Sequence, residues 1–146
     1  MSGWNVANPR ETQLEIAAAF AALPIAIEIK TDAGLVGIVH ADCPFPSWQQ
    51  FTGALEDRTL SKNVRDSIID LAQWSRDRIT AMEHETVGGV LAVVVGHTPV
   101  ERFTSLGNVL YIDTGGWLRG RDFTILDAAT LRPVDLRKRL QWETKA

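Results

Sequence analysis

Cysteine is almost absent from these 146 residues. Cys43 is the single one, so an internal disulfide framework and a cysteine-rich zinc site are both excluded. A lone thiol packs readily as a small hydrophobe, and Cys43 is expected to be a buried side chain of that kind. An excess of one charge is also missing. Fifteen Lys and Arg stand against 18 Asp and Glu, for a formal net charge of −3, which gives no global pull toward nucleic acid or an anionic membrane. Any phosphate chemistry must therefore be local. No stretch approaches the roughly 18 apolar residues of a membrane span. The opening "MSGWNVANPRETQLEIAAAF" has neither the basic start nor the unbroken apolar run of a secretory signal. A cytoplasmic location is the expectation. Repeats, low-complexity tracts and linkers are lacking too. What remains, 45% hydrophobic and 23% charged residues, is the composition of a soluble globular protein, and the length suits one domain over 1–146 with a real core.

Apolar periodicity lays out an α+β order. Residues 11–22, "ETQLEIAAAFAA", place Leu14, Ala17, Ala18 and Ala21 at helical spacing, with Thr12 and Glu15 fitting a capping box and Pro24 as the stop. "IAIEIK" and "LVGIVH", separated by the turn chemistry of "TDAG", predict an antiparallel hairpin whose second strand ends at His40. Prolines 44 and 46 make 41–60 irregular, with at most one helical turn in "PSWQQF". From Asn63 the residues Val64, Ile68, Leu71, Ile79 and Met82 recur at helical intervals, with a break expected near "WSRD". "VLAVVV" then reads as a strand covered on both faces. Three short strands follow, "ERFTSL", "VLYID" and "DFTILD", and the tail from Leu131 has the pattern of an edge strand.

His40 and His97 share one description. Each sits at the carboxyl end of an apolar strand and is followed by a turn-forming segment, the place where a rigid sheet positions groups for a ligand. Spacing alone does not make them neighbours, and a hydrogen-bonded structural imidazole is the commoner fate of such a histidine. His84, in the charged stretch "MEHET", reads as solvated. Arg137, Lys138 and Arg139 alternate with apolar residues near the terminus and read as a solvated face, not a nucleic-acid patch.

"VVVGHTPV", followed by "NVLYIDTGGWLRGRDFTILD", resembles the carboxyl-terminal signature of the phosphoprotein phosphatases. "LPIAIEIKTDAGLVGIVHADCPFP" and "WSRDRI" are similar to two further segments of the bacterial and phage, lambda-phosphatase-like members of that family. These are binuclear metallophosphoesterases of the calcineurin-like superfamily. The likeness covers roughly 20–127, with its three motifs in the family's order. It implies two mixed sheets packed face to face with helices outside, a four-layer αββα sandwich of which this chain supplies part. It implies His40 and His97 as metal ligands and Arg76 as the arginine that holds the substrate phosphate, with Arg78 as the alternative. Imidazole suits Mn, Fe or Zn, and a guanidinium fork matches two phosphate oxygens at once. Asp42 is a candidate to orient a ligand from behind, although a turn-stabilising role is equally open. Asp113 lies near the site in the family and is expected to act through structural hydrogen bonds.

The resemblance also implies residues that this sequence does not contain. The family's Asp-x-His-Gly, Gly-Asp-x-x-Asp-Arg-Gly and Gly-Asn-His-Glu segments, which complete the metal pair, do not occur in the 146 residues. Two imidazoles without a bridging carboxylate are expected to hold at most one ion, weakly. The implied activity is hydrolysis of Ser/Thr phosphate monoesters in the complete enzyme, from a phosphorylated protein or small phosphoester. Symmetrical diadenosine tetraphosphate hydrolysis and a non-catalytic truncated or regulatory fragment are the alternatives. A separately made amino-terminal half, or a second copy of the chain, is expected to cover the apolar flank of "VLAVVV".

Overall fold

The computed structural model describes residues 9–135. The order of elements is α1 (Arg10–Ala21), β1 (Ala26–Thr31), β2 (Gly34–Val39), α2 (Trp48–Glu56), α3 (Lys62–Trp74), α4 (Asp77–Ala81), β3 (Ala92–Val95), β4 (Thr104–Leu106), β5 (Val109–Tyr111), β6 (Leu126–Asp127) and β7 (Arg132–Pro133). Strands β1 to β5 form one mixed sheet in the order β1-β2-β3-β5-β4, and β6 pairs with β7. The result is an α+β sandwich of a mixed sheet and flanking helices, as the sequence led us to expect.

Pairing direction sets what the sheet can present. β1 and β2 are antiparallel, as are β4 and β5. The middle pairs β2·β3 and β3·β5 are parallel, with Ile38 opposite Val94 and Val95 opposite Tyr111. Three strands therefore finish at one edge. The central position of β3 explains its composition: all four residues of Ala92–Val95 are buried, as a strand covered on both faces must be.

One face of the sheet carries Val39, Val93, Val95, Val109 and Tyr111 against Trp48 and Phe51 of α2 and Ile68 and Ala72 of α3. Trp48 is wholly buried, and its indole N–H donates to Glu28 Oε1 at 2.8 Å. The indole lies flat enough on the sheet that only a glycine fits beneath it. A Cβ at Gly37 would stand 2.6 Å from Trp48 Cη2 and Cζ3. The opposite face gathers Val36, Ala92, Val94 and Leu110, covered in part by Ile29, Ile38, Phe103, Ile112, Leu126 and Leu131. The chain's own side chains thus cover much of this face of β3, and an apolar groove remains beside Val94, between Pro24, Ile27 and Ile112. The apolar surface left open lies further out, at Ile27, Phe123 and Ile125 and along α1, where Leu14 and Phe20 face solvent.

Several local expectations are corrected. α1 begins at Arg10, with Pro9 at its cap and no capping side chain, so Thr12 and Glu15 lie inside the helix and form no capping box. Residues 48–56 form a nine-residue helix where one turn was expected. The prolines stand ahead of it, where they do not interrupt the ladder. Ser47 caps it by accepting from the Gln50 amide. The break near "WSRD" is present: α3 stops at Trp74, and α4 ends at Ala81 with Met82 left-handed, so His84 is exposed on a non-helical segment. "DFTILD" contributes only Leu126–Asp127 as strand. Its earlier part is strapped instead by the Thr114 hydroxyl, which donates to the Asp122 carbonyl at 2.7 Å and lies 2.9 Å from Thr124 Oγ1. The tail adds β7 as an edge strand. Arg137, Lys138 and Arg139 lie outside the described residues. Among the described residues no helix is long and apolar enough to cross a membrane.

Candidate functional site

The parallel strands β2, β3 and β5 deliver His40, His97 and Asp113 to the same edge of the sheet. His40 follows β2 directly. Beyond β3 the chain turns at once: the Thr98 amide donates to the Gly96 carbonyl at 2.6 Å across His97, whose φ is +64°. That three-residue turn, with a positive φ at its centre, is a strained conformation for a side-chain-bearing residue. The Gly96 amide donates to the His40 carbonyl at 2.9 Å and so ties the two strand ends together. The imidazoles consequently sit side by side, with ring centroids 5.1 Å apart and planes at 59°.

Trp74, the last residue of α3, closes the other side of His97. Its indole meets the imidazole edge-on, at 5.4 Å and 89°. Burial holds the His97 imidazole below its ordinary pKa, and the neighbouring His40 and Arg76 press the same way against the pull of the Trp74 carbonyl and Asp113. The neutral, ligating form is therefore favoured at neutral pH.

The two arginines of "WSRDRI" part company. Arg78 is buried: its Nε donates to Asp42 Oδ1 at 2.9 Å and its Nη1 to the Glu85 carbonyl at 2.9 Å. Arg76, at the junction of α3 and α4, is exposed, and its charge reaches His97. Of the two guanidinium groups, that of Arg76 is the exposed one. Asp42 turns its Oδ1 to Arg78 and to the Cys43 amide at 2.8 Å. Burial raises the Asp42 pKa against the pull of Arg78. In Arg78 the burial cost is outweighed by Asp42, and the guanidinium stays firmly charged. Asp113 accepts from the Gly115 amide at 3.0 Å through Oδ1, and its main-chain carbonyl accepts from the Val100 amide. Cys43 is fully buried, and burial pushes its thiol up to about 11.

Sequence reasoning missed Trp74 as a wall of the site, and the signal for it was faint. Trp74 directly precedes the expected helix break, and a large aromatic left 67% exposed at a helix end is a feature that asks for a function.

Two adjacent imidazoles and an exposed guanidinium suit an anion held against a metal ion. Among the described residues no group of three or more His, Cys, Asp or Glu side chains converges to hold an ion. The donors fit part of a coordination sphere, in which His40 and His97 would supply two nitrogens to one cation.

No family model matches the chain. Over 114 residues, 76% of its length, it is 30% identical to serine/threonine-protein phosphatase 2 of Salmonella typhimurium strain LT2. The aligned part is 46% of that protein, so the chain spans about half the length of the curated relative it matches. The sequence is thus similar, distantly, to a bacterial serine/threonine protein phosphatase.

Proposed function

We propose that this chain is the carboxyl-terminal portion of a metal-dependent phosphoprotein phosphatase that hydrolyses Ser/Thr phosphate monoesters. The observation that carries the reading is the pairing of His40 with His97 at the ends of adjacent parallel strands. His40 and His97 hold a divalent ion, Mn, Fe or Zn, through neutral nitrogens. When bound, such an ion supplies an activated water and a Lewis acid at the phosphorus-bound oxygens. Arg76 clamps the phosphate and offsets charge gathering on its equatorial oxygens. Trp74 holds His97 in place, and its indole borders the approach to the site.

The remaining ligands come from an amino-terminal half that carries the three motifs absent from these 146 residues. Its docking face is the apolar groove of about 260 Å³ beside His40, formed by Pro24, Ile27, Ile38, Val94 and Ile112. The half-length match to the relative and the two-donor set support this division. The setting is cytoplasmic, and a phosphorylated protein is the substrate.

The test is to co-express the chain with an amino-terminal half that carries the three missing motifs, and to measure phosphate release from a phosphopeptide with Mn. Turnover that His97→Ala abolishes is the expected result, and wild-type turnover in His97→Ala refutes the ligand role. A dinucleotide polyphosphate run in parallel identifies the symmetrical hydrolase if it is the better substrate. The same two-donor set favours one second reading, a non-catalytic chain that binds a full-length phosphatase. Metal analysis with turnover of a chromogenic phosphate ester by the chain alone separates the two, because a stoichiometric metal pair with turnover excludes the non-catalytic chain.

A further inference from the structure

The segment bearing Arg76 is short and joins two helices. α4 spans only Asp77–Ala81, too short to be stable as an isolated helix, and Arg78 is its only buried residue. Arg76 itself lies at φ −126° and ψ 10°, between two helices, with no capping hydrogen bond from its side chain. Ile79 packs against the main core, and the guanidinium of Arg78 is the polar group that ties this segment to the interior. One arm reaches Asp42, two residues beyond His40, and the other reaches the carbonyl of Glu85.

We infer that the buried Asp42–Arg78 pair is a positioning strut that sets where Arg76 stands relative to His40. Asp42 and His40 share one short segment after β2, whose Ala41 amide also donates to the Ala72 carbonyl of α3 at 2.8 Å. Arg76 and Arg78 share another. The ion pair crosses between the two segments, with both side chains about nine-tenths buried. Net stability is a poor reason for burying such a pair, because the desolvation of two charges cancels most of their attraction. What the pair does supply is direction: the planar fork accepts one orientation and holds the main chain on both sides of it. Neither Asp42 nor Arg78 touches substrate in this scheme. They act through Arg76, and the idea rests on the phosphatase reading only where phosphate is concerned.

The experiment uses the full chain and two readouts. Backbone ¹⁵N relaxation of Asp42→Asn should show the amides of Ser75, Arg76 and Asp77 loosening from an order parameter of about 0.85 to below about 0.6. Val93, Val94 and Leu110 should stay rigid. In parallel, titration with inorganic phosphate should show a loss of about tenfold or more in Asp42→Asn, matching Arg76→Ala. The double variant should lose no more than either single one. Unchanged order at 75–77 overturns the strut. So does a loosened segment that binds phosphate like the wild type while Arg76→Ala does not, or two losses that simply add. If Asp42→Asn fails to fold, Arg78→Lys replaces it, since it keeps the charge and loses the two-armed reach. A wild-type chain that binds no phosphate refutes the clamp role of Arg76, and the relaxation data alone then decide the strut.

Discussion

The main-chain amide of Gly96 donates to the carbonyl of His40 at 2.9 Å. This bond joins the ends of two parallel strands one residue before His97, so the backbone brings the two histidines side by side, with ring centroids 5.1 Å apart. A pair prearranged in this way loses little side-chain entropy on taking up an ion.

The chain should therefore bind one Co²⁺ or Zn²⁺ at a site needing both rings. His40→Ala and His97→Ala should each weaken binding by at least about tenfold, the order expected when one of two nitrogen donors is lost. Titration followed by Co²⁺ absorption measures this. Equal affinity in either variant would show that the ion sits elsewhere.

Strain at the site is measurable in the absence of any ion. His97 holds φ +64° at the centre of a tight turn, a conformation that costs a side-chain-bearing residue about 1–3 kcal/mol and glycine almost nothing. His97→Gly should consequently be more stable than His97→Ala by about 1 kcal/mol. Urea denaturation of the two variants makes the comparison, and equal midpoints would mean that the turn relaxes freely.

The α2 interface makes a steric prediction. A methyl group at Gly37 would stand 2.6 Å from two ring carbons of the buried Trp48, and the indole is itself held by Glu28. Gly37→Ala should cost about 1–3 kcal/mol, as overpacking of a filled core does. Gly53→Ala, with open space around its Cβ, should be neutral or stabilising because it removes a helix-interior glycine. Thermal melts of the pair check both signs.

The hairpin, the covered strand β3 and the break after Trp74 were legible because each leaves a local trace: alternation around "TDAG", an unbroken apolar run, and a lapse in helical period. α2 was obscured by Pro44 and Pro46, which read as breakers although they precede a Ser47 cap and leave Trp48 and Phe51 free to anchor one helical face. The parallel registers that bring His40, His97 and Asp113 to one edge are a tertiary outcome. They follow from strand order, which no window of sequence contains, and the family resemblance was needed to pair the histidines. Asn108 is a further case. Nothing in its local sequence marks it, yet its side chain accepts from the Val87 amide at 2.8 Å and donates to the carbonyls of Val87 and Val90. It thus pins the loop that leads into β3, and its partners lie some twenty residues away.

Alkaline pH should expose the two buried acids behind the site. Burial raises the Cys43 thiol from 9.0 to about 11 and the Tyr111 hydroxyl from 10.0 to about 12. In each case the folded chain keeps its proton longer than the unfolded chain does. The contribution is complete below the unfolded value and is lost as pH rises through the folded one. Stability should therefore hold level to about pH 9 and then fall, by about 2 kcal/mol between pH 9 and 11 from Cys43 alone. Tyr111 extends the fall toward pH 12. Cys43→Ala should flatten the first part of the curve and Tyr111→Phe the second, each at some cost in absolute stability. Urea midpoints taken from pH 8 upward decide the matter. A slope that survives in the double variant would assign the alkaline loss to other groups.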